Sequence, residues 1–599
     1  MSLPYLNLKK RKSQKQTISF YGLNYTNNFR DGELSDCMGL SSSDFPCLSQ
    51  REGYGEEKTL VNGTNLYARG ELCYVENRKI YYGQREVIGD VSDSKKHFAT
   101  INTKVVIFPD KKYFEIPKDE KEEIKLKNLD AFYTASGFQF SKNAITFPKK
   151  KYTIEWKSET AYEYSSNPKI KIYENPYIKS GVIESSEKAE VDIEELEEGN
   201  IIKVDDSYSE VTEVIKEAEK YIIYVAKTVV KEIINPTLKD VFNAGDTIEI
   251  SGLQELAENN GFYTISDIED YTLTFDEYIF EKEGQDTVPI TLKREVPDLE
   301  FICESNNRLW GVKGNTIYAS ALGDPTNFKT VDDLSTDSWQ VAVGSDGEFT
   351  GCIAYSDNVL FFKENCVHKL LGSYPAQYQL YTYTIPGVQK GSDKSMCIIN
   401  ETLFYKGVEG IYAYNGGVPE LISGNFGTRK YYDAVGGSYQ NKYYISMRDE
   451  LSRYSLYSYD LSRGIWLLED NIRVLDFAKL ESTLFFLSDN KIFKMGVEEE
   501  NRIKWSATFC PIDELYHGKK GYSKIWLKVE LSEKAYIKAE ISVDGAPYRQ
   551  VYLGHNDKQR TLQIPIKPQR CDTFSIRLSG EGRCKLKSMV RDFYIGSEV

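Results

Sequence analysis

The chain has 599 residues, 13% of them aromatic with 44 Tyr against 28 Phe, and its 90 acidic and 75 basic residues leave a formal net charge of −15. That length exceeds one hydrophobic core and implies roughly two to four domains, the aromatic content favours strands over helices, and the acidic balance disfavours a reader of nucleic-acid phosphates. Ten cysteines without a C-x-x-C pair read as reduced thiols used as small buried hydrophobes, with a Cys571–Cys584 disulfide the less favoured alternative.

Residues 1–57 are read as an N-terminal arm. Met1-Ser2-Leu3-Pro4-Tyr5 lacks a secretion-signal core, and no run approaches the roughly 20 apolar residues that span a bilayer, so a soluble chain without stable membrane insertion is expected. The basic cluster Lys9-Lys10-Arg11-Lys12 with Lys15 reads first as a solvated, disordered end. From 17 to 54 turn formers dominate, as in Ser41-Ser42-Ser43-Asp44-Phe45-Pro46. Such a segment cannot bury enough of itself to stand alone, so it should lie along a preformed surface, of this subunit or another.

Residues 58–117 hold two predicted hairpins with a common offset of eight: Leu72-Cys73-Tyr74 with Ile80-Tyr81, and Val105-Val106-Ile107 with Tyr113-Phe114. The next hairpin lies about 200 residues on, too far for a loop in a compact domain, so 118–297 is read as one or more inserted β domains, barrel or sandwich modules. The insertion opens on the charge run Lys118-Asp119-Glu120-Lys121-Glu122-Glu123, a solvated connector, and continues in strands such as Tyr152–Trp156 and Ile170–Tyr173. Around Glu210–Glu219 a helix is possible, but β-branched residues and the following Tyr221–Val225 favour a strand pair.

Residues 298–499 carry the clearest pattern. Leu309-Trp310-Gly311-Val312 and Thr316–Ser320 flank a Lys313-Gly314-Asn315 turn, and similar hairpins start at Leu360, Leu403, Tyr443 and Leu484, spaced 51, 43, 40 and 41 residues apart counting from Leu309. Strand-only units recurring at roughly 40–50 residues mark a β-propeller, whose first part is then 58–117. Seven hairpins leave the blade number open, because a blade has four strands. Residues 500–599 alternate with period two and read as an antiparallel β-sandwich. The fold class is therefore mainly β: a propeller interrupted by an inserted β domain and followed by a C-terminal sandwich.

Few residues suggest chemistry. None of His97, His368, His517 and His555 sits in an H-x-x-x-H or H-E-x-x-H spacing, which disfavours a zinc hydrolase. Cys366-Val367-His368 puts a thiol and an imidazole on one side of a strand, able to hold a metal or form a nucleophile and base; with no third group identifiable, strand packing is the favoured reading. There is no G-x-S-x-G elbow, Walker A or strand-linked G-x-G-x-x-G. Gly245-Asp246 and Asp544-Gly545 read as turns before calcium sites. The tyrosines read mostly as strand packing, although exposed ones could stack on sugar rings. A glycosidase would need two carboxylates facing across a cleft, which sequence cannot pair. No catalytic, cofactor-binding or metal residue is assigned, and no cofactor.

The order Gly22-Leu23-Asn24, Asp31-Gly32-Glu33, Phe45-Pro46 and Arg51-Glu52-Gly53, then Asn307-Arg308-Leu309-Trp310-Gly311 running to Gly323-Asp324-Pro325-Thr326-Asn327-Phe328, and a closing Val590-Arg591-Asp592-Phe593-Tyr594-Ile595-Gly596, resembles the tail hub or nozzle proteins of bacteriophages, best known in short-tailed phages. The resemblance covers the arm, the propeller and, more loosely, the sandwich, not the insertion. It implies a non-enzymatic virion protein, folded in the host cytoplasm, that forms a six-fold ring with copies of itself below the head-to-tail adaptor. Such a ring would line the channel for DNA without reading its sequence and dock tail fibre or spike proteins. Two rivals remain: a receptor-binding propeller holding host-surface glycan, and a propeller glycosidase.

Overall fold

The computed structural model describes residues 12–595 apart from 120, 180–181, 218–219, 277–278, 287, 330–333, 498–502, 515, 556–559 and 568. Among the described residues there are strands and short 3-10 turns but no α-helix. The chain forms two units, Met1–Leu129 with Val296–Val599, and Asp130–Glu295.

In the first unit each predicted hairpin is the second and third strand of a four-stranded antiparallel blade. Blade 1 is Gly63–Arg69, Glu71–Glu76, Lys79–Tyr82 and Arg85–Asp90, and blade 2 is His97–Ile101, Lys104–Phe108, Lys112–Glu115 and Lys127–Asn128. Blade 3 is Phe301–Ser305, Arg308–Lys313, Thr316–Ala319 and Trp339–Ala342, and blade 4 is Gly351–Tyr355, Asn358–Phe362, Val367–Leu371 and Gln379–Tyr383. Blade 5 is Cys397–Ile399, Thr402–Lys406, Ile411–Tyr414 and Glu420–Leu421, and blade 6 is Tyr431–Tyr439, Lys442–Asp449, Tyr454–Asp460 and Ile465–Asp470. Blade 7 takes Asp476–Leu480, Thr483–Ser488 and Lys491–Val497 from the late chain and its fourth strand, Gly53–Thr59, from the early chain. Early and late hairpins therefore belong to one closed wheel.

The local chemistry is legible. Several strand pairs turn on two residues that both have positive φ: Asn77-Arg78, Asn306-Asn307, Asn400-Glu401, Gln440-Asn441 and Asp489-Asn490. Asn and Asp tolerate that region, and the turn it makes matches the twist of a hairpin. Second strands such as Val359–Phe362 and Leu484–Leu487 are buried on both faces because each blade is sandwiched between two others. Apolar cores fill the successive gaps: Val75, Ile80 and Phe114 between blades 1 and 2, Trp310 and Phe361 between 3 and 4, Leu66 and Leu487 between 7 and 1.

Two stretches the sequence marks, Asn307–Gly311 and Gly323–Phe328, are tied together in blade 3. Arg308, fully buried, donates to the carbonyls of Ser320 (2.7 Å), Ser335 (2.6 Å) and Asp337. The Gly323–Phe328 loop is held beside it by Gly323 N–H donating to Asn307 O (2.7 Å) and Ala321 N–H to Asn327 O (2.8 Å). A Cβ on Gly311 would lie 2.8 Å from the Phe301 carbonyl oxygen and 2.7 Å from a Leu299 methyl. Gly311→Ala is therefore expected to lose about 1–3 kcal/mol by overpacking against backbone that cannot retreat, read as a lower urea midpoint.

The sandwich is built from both ends of the chain. One sheet runs Leu40–Ser41, Leu48–Gln50, Cys584–Ile595, Lys520–Leu531, Arg560–Pro565, with Lys12–Thr17 also paired to Cys584–Ile595 and Arg570–Cys571 to Lys520–Leu531. The other runs Gly22–Leu23, Glu33–Met38, Lys504–Phe509, Phe574–Glu581, Tyr536–Val543, Arg549–His555. The arm, expected on a surface of this subunit or another, thus supplies five strands to its own chain's sandwich. Its core is continuous with that of blades 5 and 6, through Phe426, Tyr457 and Trp466 against Leu23 and Leu34.

The second unit, Asp130–Glu295, lies within the predicted insertion 118–297; Lys127–Asn128 is blade 2's outer strand. It holds two modules. An eight-stranded sheet packs around Phe138, Phe147, Ile248 and Leu273, and a six-stranded sheet around Ile193, Val211 and Ile223. The strand reading holds for 210–217, with 218–219 outside the described residues: Ser207–Glu217 pairs with Lys220–Ile234, which pairs in turn with the equally long Lys150–Tyr164. At about 3.3 Å per residue those 15-residue strands reach about 50 Å.

Candidate functional site: a cleft on the propeller axis

First strands pack against first strands of the adjoining blades around the axis. Their side chains enclose an open cleft of about 380 Å³ on blades 1 to 4 and the turn before blade 5. One wall is aromatic: the rings of Tyr67 and Phe98 stack at 5.3 Å and 15°, Tyr67 Oη lies 2.8 Å from Thr100 Oγ1, and Phe301 meets the His97 ring edge-on at 5.4 Å. Arg69, exposed, and Glu304, half-buried, are the polar groups of blades 1 and 3 that line it.

The deeper groups are titratable, and among the described residues the Asp393 carboxylate is hydrogen-bonded through one oxygen only. The short 3-10 turn Asp393–Ser395 brings in Asp393, whose Oδ1 accepts from Lys95 Nζ at 2.6 Å and whose Oδ2 lies 3.8 Å from His97 Nδ1. Its neighbour Lys394 pairs with Asp476 of blade 7. Burial pushes the Asp393 carboxyl up, but Lys95, His97 and Lys394 outweigh it and hold the group below the usual carboxylate value. Burial also brings His97 down to about 4, the Asp393 carboxylate opposing and both lysines adding to the shift. At neutral pH the cleft therefore presents an ionised Asp393, a neutral imidazole, an arginine and an aromatic wall. Such a surface can hydrogen-bond and stack against a polar ring, and Asp393 is in the form of a base or nucleophile rather than an acid.

Of the residues singled out in the sequence, His97 lies in the cleft and the others described below lie elsewhere. His368 is buried in blade 4, with Ser345 Oγ 2.8 Å from Nε2, Thr382 Oγ1 2.8 Å from Nδ1 and Cys366 Sγ 3.9 Å from Nε2. Both ring nitrogens are taken by hydroxyls, which tie the linker into blade 4 to its outer strand, and burial with nearby Lys363 brings the imidazole down to about 4. His555 packs on Tyr536 at 5.6 Å. Asp246 accepts from Asn243 N–H (2.8 Å) and pairs with Arg294, while Asp544 Oδ1 accepts from the N–H groups of Asp572 and Thr573, so both are loop fasteners. Lys15 of the basic cluster pairs with Glu514 at 3.4 Å; Lys9, Lys10 and Arg11 lie outside the described residues. All ten cysteines are free thiols. Among the described residues no group of three or more His, Cys, Asp or Glu could hold a metal ion, and no helix is long and apolar enough to cross a membrane.

The cleft residues escaped the sequence reading for a physical reason. Tyr67, Arg69, Glu304 and Asp393, with His97, which the sequence offered only as a possible metal ligand, are spread over more than 300 positions and meet because first strands and the turn before blade 5 converge on an axis. No local spacing announces them; only the rule that a blade's first strand faces inward could have pointed there.

No family model matches this chain, and no curated protein does. Similar solved structures include the exo-β-1,3-galactanase Pc1,3Gal43A of Phanerochaete chrysosporium with galactose, at 10% identity, covering 47% of this chain and 92% of that one, TM-score 0.19. Others are Hsv2 of Kluyvelomyces marxianus (12% identity, 46% and 88%, TM-score 0.24) and the carbohydrate-binding module TmCBM61 with β-1,4-galactotriose (13% identity, 20% and 73%, TM-score 0.13). Against the glycoside hydrolase among them the expectation of a chain without enzymatic activity is withdrawn. Likenesses at these identities say nothing about this chain's own chemistry.

Proposed function

We propose that the chain is a structural subunit of a bacteriophage tail hub or nozzle. It would assemble with copies of itself into a ring, six-fold by the resemblance, that continues the DNA channel below the head-to-tail adaptor and docks tail fibre or spike proteins in the virion. The observation that supports this reading is where the residues carrying the resemblance sit. Gly22, at φ +79°, lies against blade 6 so closely that a Cβ would stand 2.4 Å from the Trp466 carbonyl oxygen. Arg51 donates to Asp470 (2.7 Å) and to Glu469 O (3.2 Å) of the same blade while stacking on Tyr54. Glu33 accepts from Asn24 and Arg30, and Arg591 anchors the sandwich end. These motifs build one stiff joint between propeller and sandwich, as a load-bearing fitting requires. The net charge of −15 suits a conduit that repels its cargo. Light scattering and negative-stain images of the purified chain, alone and with the adaptor ring of its phage, are expected to show rings; a monomer at every concentration that never joins an adaptor would overturn the reading.

A second reading is favoured by the axial cleft: a glycan held, or cleaved, against the Tyr67–Phe98 wall with Arg69, Glu304 and Asp393 around it. On this reading an array of host-surface polysaccharides gives a binder or a substrate, and the Arg69→Ala, Tyr67→Ala pair weakens binding at least about tenfold. Unchanged binding in that pair, or no glycan ligand in the array, removes it.

A further inference from the structure

Two cysteines face one another inside the axial cleft. Cys303 lies on the first strand of blade 3 and Cys352 on the first strand of blade 4, strands that pack side by side. Both line the cavity, both belong to one packed cluster, Cys303 helps burial to push the Cys352 thiol up, and both are free. Cys303 is half-buried while Cys352 is only 6% exposed. Among the described residues they join no ion pair; Cys352 belongs to the blade 3 to blade 4 core with Trp310 and Phe361, and Cys303 packs against that core from the cleft side. An adjacent pair of which one member can be reached from solvent is the arrangement thiol–disulfide exchange requires.

We propose that Cys303 and Cys352 are an oxidation site, at which a low-molecular-weight disulfide such as oxidised glutathione converts the two thiols into an interblade disulfide. The Cys303 sulfur, once deprotonated, attacks one sulfur of the reagent; the reagent's S–S bond breaks and one reagent thiol departs. The Cys352 sulfur then attacks Cys303 Sγ, the mixed disulfide breaks, and the second reagent thiol departs. Two protein thiols are oxidised, one reagent disulfide is reduced to two thiols, and the two protons lost by the protein are those the reagent thiols carry away. The bond would join neighbouring blades near the axis. A chain folded where thiols stay reduced and later moved to an oxidising medium would acquire it after folding. Burial holds the Cys352 thiol well up, which places it as the slower, resolving partner. The inference rests on neither functional reading.

The test uses the full chain, folded and reduced, incubated with oxidised glutathione, quenched by alkylation and mapped by mass spectrometry. The expected product is a Cys303–Cys352 linked peptide about 2 Da lighter than the two thiol peptides together, with no glutathione retained at either position and a raised Tm that a reductant returns to its starting value. Cys352→Ser should stop at the mixed disulfide, leaving glutathione on Cys303. If in the wild-type chain both residues remain alkylatable, or Cys303 keeps glutathione while Cys352 stays free, the proposal is wrong. Because that decision rests on the wild-type chain, a variant that fails to fold does not protect it.

Discussion

Replacing Arg591 by Met is expected to destabilise the sandwich by about 3–5 kcal/mol, the loss that follows when one partner of a buried ion pair is removed. The Arg591 guanidinium is fully buried and makes a two-pronged contact with Glu514, Nε to Oε1 at 2.8 Å and Nη2 to Oε2 at 3.4 Å. Its remaining donors reach Asp31 Oδ1 (3.0 Å) and Thr17 Oγ1 (2.6 Å). Asp31 and Thr17 belong to the arm, Glu514 and Arg591 to the late chain, so this one side chain fastens the two ends together. Without it the buried Glu514 carboxylate keeps one cation, Lys15, 3.4 Å away and a third exposed, and a long hydrogen bond from the Tyr522 hydroxyl at 3.4 Å. Denaturant unfolding should show the loss, and proteolysis should show early nicking between 17 and 33. Adding Glu514→Gln removes the stranded charge and should recover about half of the deficit. A deficit that the second substitution deepens would mean that the cluster is held by something other than this pairing.

Stability is expected to fall as the medium is acidified from pH 6.5 to 4, by an amount on the order of 3 kcal/mol for each of two histidines as an upper bound. In the folded chain His97 and His368 are both held at about 4, whereas in the unfolded chain they titrate near 6.5. As pH drops below 6.5 the unfolded chain takes up protons that the folded chain refuses. The contribution is therefore whole above 6.5, is lost between 6.5 and 4, and does not change further below 4. Carboxylates held below their ordinary values, Asp393 and Asp110 among them, act in the same direction, but only below about 4. Urea midpoints of wild type and of a His97→Gln, His368→Gln chain, measured from pH 7 to 4.5, separate the two sources. The double variant should have a much flatter slope, and parallel curves for both chains would refute the assignment.

How much of this could be read from residues alone follows from where each strand sits in its blade. Second and third strands, such as Leu403–Tyr405 with Ile411-Tyr412, are apolar on both faces and joined by short turns, so they stand out. First strands carry the polar groups of the axis, and fourth strands are short or exposed at the rim, as with Glu420–Leu421; neither alternates cleanly. The arm was misjudged in character because its strands are partners rather than independent elements. Lys12–Thr17, KSQKQT, has no apolar face and is a strand only because Cys584–Ile595 offers it an edge. The same is true of Gly53–Thr59, GYGEEKT, whose sequence gives no hint that it completes blade 7. The cleft, assembled from five such first strands and turns, was invisible for the same reason.

The origin of that last strand has a consequence for biosynthesis. Gly53–Thr59 leaves the ribosome without its hydrogen-bonding partner Lys491–Val497, which is made more than 400 residues afterwards. At about 5–20 residues per second the wait is on the order of 20–90 s, during which nascent blades 1 to 6 expose a gap where the wheel has not shut. A crowded cell offers that gap other people's strands, so the growing chain should depend on a holding chaperone, or on slow codons late in the message, more than its finished stability would suggest.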